Sequence, residues 1–219
     1  FQTLGLNFTT VAKSGFITTL YSLFIPILMM LFSGKRYRAS FWSLIAMALG
    51  GMALMCNLEI KDLNRGDLLT LLCSLCAALH IMYIGKVANT VESPVEFNFL
   101  QNFFVGVFSI TLALIVKGPL DSFSYTDVHS QAIQGILFLG IISSMISFTI
   151  QVFAQKKIPV HIAGLIFLME SPFAAIFGFF IFKEILNPMN LFGAFLIIMS
   201  VLLVPVLGRE VTTPKKVAE

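Results

Sequence analysis

The chain has 219 residues, of which 58% are hydrophobic and 11% charged, with a mean hydropathy of +0.93 and a formal charge of +3. A soluble domain carries about 25% charged residues, so the composition excludes one and points to an integral membrane protein whose solvent is the lipid bilayer. The basic residues are few and scattered, which argues against a nucleic-acid partner, and Cys56, Cys73 and Cys76 all lie in apolar stretches, where they define no disulfide framework.

Residues 1–12 read as the end of one span followed by a loop. Seven long apolar stretches come next: 15–32, 41–58, 68–84, 99–116, 133–153, 160–182 and 191–207. Each approaches the roughly 20 residues that a helix needs to cross a bilayer core, and none has the polar face of a soluble amphipathic helix. The expected fold is therefore an all-α polytopic bundle with about seven complete spans. The connectors carry the charges: KRYR (35–38), EIKDLNRGD (59–67), KVANTVESPVE (86–96), GPLDSFSYTDVHSQ (118–131), QKKIP (155–159), KEILNP (183–188) and a polar tail.

Shifting the sequence by 149 residues aligns the span after Val11 with the span after Val160. Val11/Val160, Gly15/Gly164, Ile17/Ile166, Ser22/Ser171, Phe24/Phe173 and Ile27/Ile176 then coincide, as do the span boundaries. The third to seventh spans make one unit of five, and the first two match its last two. Residues 1–58 thus read as the end of a first repeat, 66–207 as a complete second repeat, and 208–219 as a cytoplasmic tail. The repeat logic expects an upstream segment of about 80 residues and a ten-span parent.

An odd number of spans per repeat makes the second copy inverted in the membrane. Loop charge agrees with this: with KRYR inside, the inner connectors hold nine Lys/Arg (35, 36, 38, 86, 156, 157, 209, 215, 216) and the outer ones five (13, 61, 65, 117, 183). Tyr37 and Trp42 flank the inner boundary, where interfacial aromatics belong.

Glu170 is the one acid inside a span. A charge at mid-bilayer costs about 2.5–3.5 kcal/mol on insertion scales, so it must be protonated, paired or solvated. Its functional reading is a partner for a cationic substrate group or a proton carrier; the plainer one is a hydrogen bond between helices. Pro172 removes an N–H and bends the helix beside it. The repeat sets Tyr21 against Glu170, and Pro26 supplies a second candidate flexing point. Cys73, Cys76 and His80 share a helix face, but a closed metal site needs ligands from more than one helix, so no metal is expected. His80 remains a candidate polar group of a cavity. Ser147 and Gln151 lie on a stripe with Gly140, Ser143 and Ser144 that suits substrate contact or close helix packing. Gln101 and Asn102 are ambiguous in the same way. His129 and His161 fall in or near loops.

TTVAKSGFIT (9–18) with Pro26, LMESPFAAIFGFFIFKE (168–184) and NPMNLFGAFLIIMSVLL (187–203) resemble the EamA-type members of the drug/metabolite transporter superfamily. The resemblance covers essentially the whole chain. It implies ten helices in two inverted five-helix repeats, here with the first truncated, and cytoplasmic termini. It also implies export of small metabolites such as amino acids through a central cavity. One departure is Gly34-Lys35, where family members often carry Gly-Glu. On this reading the protein is a secondary transporter of the bacterial inner membrane, without cofactor, with protons as a candidate coupling ion and a homodimer as a candidate assembly. A receptor or sensor lacks the five-span repeat, and a membrane-embedded enzyme needs a motif such as HExxH that the sequence does not contain; enzymatic activity is not expected.

The charge count makes the KRYR and QKKIP connectors cytoplasmic and the loops at 59–67 and 118–131 external. In a cysteine-free background, an impermeant thiol reagent added to intact cells should modify Asp62→Cys and spare Arg36→Cys. The reverse labelling pattern would refute the orientation.

Overall fold

A computed structural model describes residues 1–57, 64–117, 130–183 and 185–208. The order is α1 (Gln2–Gly5), α2 (Val11–Thr19), α3 (Tyr21–Ser33), α4 (Ala39–Met55), α5 (Arg65–Val87), a 3₁₀ turn (Ala88–Thr90) and α6 (Pro94–Lys117). It continues with α7 (Ser130–Phe138), a π-helical segment (Leu139–Ser147), α8 (Phe148–Gln155), α9 (Val160–Ile166), a 3₁₀ turn (Phe167–Met169), α10 (Glu170–Phe182) and α11 (Pro188–Leu207). Among the described residues six stretches are long and apolar enough to cross a membrane: Val11–Ser33, Arg65–Thr90, Pro94–Leu112, Ile133–Gln155, Val160–Ile181 and Pro188–Leu207. The shorter α4 is an apolar helix of 17 residues, at the lower limit of about 17–25 for a span. The described chain has no β-strand, and it is a polytopic helical membrane protein, as its hydropathy predicts. Leu58, much of the two expected outer loops (59–63 and 118–129, with His129), Glu184 and the expected tail from 209 lie outside the described residues.

The helix boundaries carry the offset seen in the sequence. Helices α2 and α9 begin at Val11 and Val160, α3 and α10 at Tyr21 and Glu170, and α4 and α11 at Ala39 and Pro188, each pair 149 residues apart. The caps match too. Gly34 ends α3 in the left-handed conformation at φ 63°, and Lys183 ends α10 in the same conformation at φ 57°. Glycine adopts that conformation without steric cost, whereas lysine does not.

The chain divides into two compact units, Phe1–Tyr83 with Pro159–Glu219, and Ile84–Ile158. In the first, α4 and α11 run antiparallel along their full length. Ser40 Oγ donates to the Leu207 carbonyl (3.0 Å), Ser200 Oγ to Leu44 (2.8 Å) and Asn190 Nδ2 to Met55 (2.7 Å). Their backbones meet at Gly51 and Gly193, where a Cβ added to Gly51 would lie 2.6 Å from the Gly193 carbonyl oxygen. The adjacent Gly50 has nothing within 4 Å of its Cβ position. The core beside this seam holds Ile25, Phe41, Leu44, Ile45, Ala48, Leu165, Leu168 and Ile197, all nearly inaccessible.

In the second unit, α6 packs on the π segment and α8. A π-helix leaves the regular i→i−4 pattern, and such departures need other groups to satisfy the backbone. Asn98, 2% exposed, does so: its Nδ2 lies 3.0 Å from the Ser144 carbonyl, 2.8 Å from Met145 and 3.0 Å from Thr149 Oγ1. Asn102 Nδ2 in turn donates to Asn98 Oδ1 at 2.9 Å.

Two stability outcomes follow. Gly51→Ala forces α4 and α11 apart and should cost about 1–3 kcal/mol, read as a lower unfolding temperature in detergent. Gly50→Ala should be neutral or gain about 0.5–1 kcal/mol from helix propensity; equal effects at the two positions would refute the seam. Asn98→Ala strips a buried donor from two carbonyls and should destabilise by about 1–3 kcal/mol, measured in the same scan.

Candidate functional site

Both spans that contain the candidate acid or its counterpart are interrupted at the same register. The first breaks at Leu20, between α2 and α3, and the second at the 3₁₀ turn Phe167–Met169, between α9 and α10. Tyr21 and Glu170 are the first residues after each break. Pro172 stands at the third position of α10, just after the 3₁₀ turn Phe167–Met169. Pro26 does not mark its break. Helix α3 runs on through Pro26, which is buried, and the interruption comes six residues earlier. The flexing points expected at the two prolines thus resolve into interruptions that precede both.

Tyr21 is 9% exposed and packs in the core of the first unit, whereas Glu170 is exposed. The Glu170 carboxylate lies within electrostatic range of the Tyr21 phenol. The arrangement sets an exposed carboxyl group within electrostatic range of a buried phenol, each just after the turn that interrupts its span.

The other expected residues are placed as follows. His80 is exposed on α5, as is Cys76, with Cys73 half-buried. No three His, Cys, Asp or Glu side chains converge on a metal geometry among the described residues. Ser147 and Gln151 belong to the second unit. Ser147 Oγ donates to the Ile142 carbonyl (3.1 Å) and Gln151 Nε2 to Gln155 Oε1 (3.5 Å), so both bond within their own span. Near them, Val95, Phe99, Asn102, Gly140, Ser144 and Met145 line a cavity of about 270 Å³.

Two polar features escaped the sequence reading. Asp67, 3% exposed, forms an ion pair with Lys13 at 2.6 Å, accepts from Thr9 Oγ1 at 2.7 Å and from the Asn64 N–H at 2.9 Å. Ser14 and Thr70 (3.4 Å) and Ser74 with the Thr18 carbonyl (2.9 Å) continue the join between α2 and α5. Lys13 and Asp67 sit at the polar ends of two spans, and that was the available signal. His161 is the second. It stands at the second position of α9, next to the loop, and is 2% exposed, with its ring 4.9 Å from Tyr37 and 5.2 Å from Phe41, and Nε2 3.1 Å from the Gly208 carbonyl. Tyr37, expected at the lipid interface, is 8% exposed, and its hydroxyl meets Met29 Sδ at 3.4 Å.

Comparison with known proteins gives the same direction. The chain is 27% identical, over 93% of its own length, to a protein of Archaeoglobus fulgidus described as an uncharacterized transporter, and spans 63% of that relative. A solved structure described only as a crystal structure of a protein shares the fold, with a TM-score of 0.75 at 18% identity over 94% of this chain and 71% of its own. Residues 64–205 match the EamA-like transporter family. With that match covering well over half of the chain, across α5 to α11, the protein belongs to the EamA-like transporter family.

Proposed function

We propose that the protein is a secondary transporter that exports small metabolites carrying a cationic group, amino acids or related compounds among them, by alternating access. The observation that carries this reading is that Glu170 and Tyr21, equivalent under the 149-residue offset, each follow the interruption of a span and lie within electrostatic range of each other. Discontinuous spans from two inverted repeats, meeting near mid-membrane, are where secondary transporters place substrate. Glu170 supplies the charge that a substrate ammonium seeks, and Tyr21 a wall with one polar atom. His80 is proposed as a further polar group that serves the substrate, and Ser147 and Gln151 as polar groups of the second unit with the same role. The interruptions before Pro26 and Pro172 are where the halves flex. A bacterial inner membrane, protons as the coupled ion and a homodimeric assembly complete the proposal.

Glu170→Gln tests it, because glutamine keeps the size and much of the hydrogen bonding while removing the charge. A substrate-cation role raises the apparent KM about tenfold or more, the scale of about 1.4 kcal/mol, at normal abundance. A proton-carrier role instead abolishes pH-driven accumulation and spares counterflow exchange. Transport within about twofold of the parent between roughly pH 5.5 and 8, a difference below about 0.5 kcal/mol, removes Glu170 from the site.

A further inference from the structure

The structure fills one of the two directions that lead away from Tyr21 and Glu170 and leaves the other unpacked. Toward the end of α3, Ile25 and Met29 follow Tyr21 at successive turns and are 0% and 7% exposed. Helix α9 lies so close to this face that a Cβ on Gly164 would stand 2.7 Å from Ile25 Cδ1. Beyond Met29 come Tyr37, Phe41 and His161, whose rings touch one another. The bond from His161 to Gly208 ties the start of α9 to the end of α11. Three segments distant in sequence, the α3–α4 connection, the start of α9 and the end of α11, are thus drawn together at the Lys35–Arg38 end.

The equivalent positions in the opposite direction hold none of this. Gly15, the counterpart of Gly164, has nothing within 4 Å of its Cβ position. Ala174, the counterpart of Ile25, is exposed, and Phe173 beside it is 52% exposed. Ala12, Leu186 and Asn190 stand where His161, Tyr37 and Phe41 stand in the packed half, so the aromatic cluster has no copy.

We propose that Tyr37, Phe41 and His161 form a gate that seals the Lys35–Arg38 end of the Tyr21–Glu170 site, and that it opens when α9 separates from α3. The inference deepens the transport reading and rests on it. Helix α9 suits the moving part: it has seven residues, begins after Pro159 and ends in the 3₁₀ turn Phe167–Met169. Opening breaks ring contacts and the hydrogen bond to the Gly208 carbonyl, and it unseats Gly164 from Ile25.

The test measures access to the site and needs no substrate. In the full-length protein with Cys56, Cys73 and Cys76 replaced by serine, Ser171→Cys reports on the site, and Tyr37→Cys with His161→Cys forms the lock. An impermeant methanethiosulfonate is applied from each membrane face in turn, before and after cross-linking the lock with a short reducible bifunctional thiol reagent. We expect the lock to slow modification of the reporter from the Lys35–Arg38 face at least about tenfold, to leave the opposite face unaffected, and to release on reduction. Phe41→Ala should speed modification from the Lys35–Arg38 face. Equal rates with and without the lock, or slowing from both faces, would overturn the gate. Failure here with a strong Glu170→Gln effect on transport condemns the gate alone. An intact gate beside an ineffective Glu170→Gln condemns the substrate site instead.

Discussion

Two helices surrounded by lipid gain nothing by burying leucine against leucine, because the lipid is as apolar as the partner. What joins α4 to α11 is instead backbone proximity at Gly51 and Gly193, together with side chains that bond the facing helix's carbonyls. Those contacts require small or polar residues at fixed points, and they fix the antiparallel pairing of two helices that occupy equivalent places in the repeat. Equivalent helices packed antiparallel are related by a local two-fold axis lying across them. Tyr21 and Glu170, equivalent in sequence, lie within electrostatic range of each other in the same unit.

The interruptions determine what the site can be made of. Each interruption is a tightened turn in a span that stays helical on both sides, and such turns inside a helix often mark hinges. One of them places Glu170 at the start of α10. Placing Tyr21 first in α3 sets a large amphipathic ring at the matching point. Pro172 follows one interruption within the first turn of α10. The other interruption has no such proline, and Pro26 is carried inside α3 by the core packed around it.

Hydropathy made the spans legible, because twenty apolar residues have few other fates, and the 149-residue offset recovered the shared helix starts. Tyr21 and Glu170 were legible together for the same reason: the offset aligns them. The partners joined across long sequence separations were not. Nothing local to His161 reports that Gly208 will meet it, and nothing local to Asn98 reports that α7 and α8 will be joined by a π segment whose carbonyls need its amide. Pro26 lies inside α3, and the turn that divides its span comes at Leu20.

The two polar joins of the first unit differ in what it takes to undo them. Asp67 is held by Lys13, the Thr9 hydroxyl and the Asn64 N–H, and it is 3% exposed. Separating such a pair leaves an uncompensated buried charge, at a cost of about 3–5 kcal/mol. The join therefore fastens α2 to α5 as one piece. At the Lys35–Arg38 end, by contrast, aromatic rings and one histidine hydrogen bond hold α9 against α3, α4 and α11. Ring contacts in a membrane protein can be exchanged for contacts with lipid or other rings, and a histidine bond can pass to water.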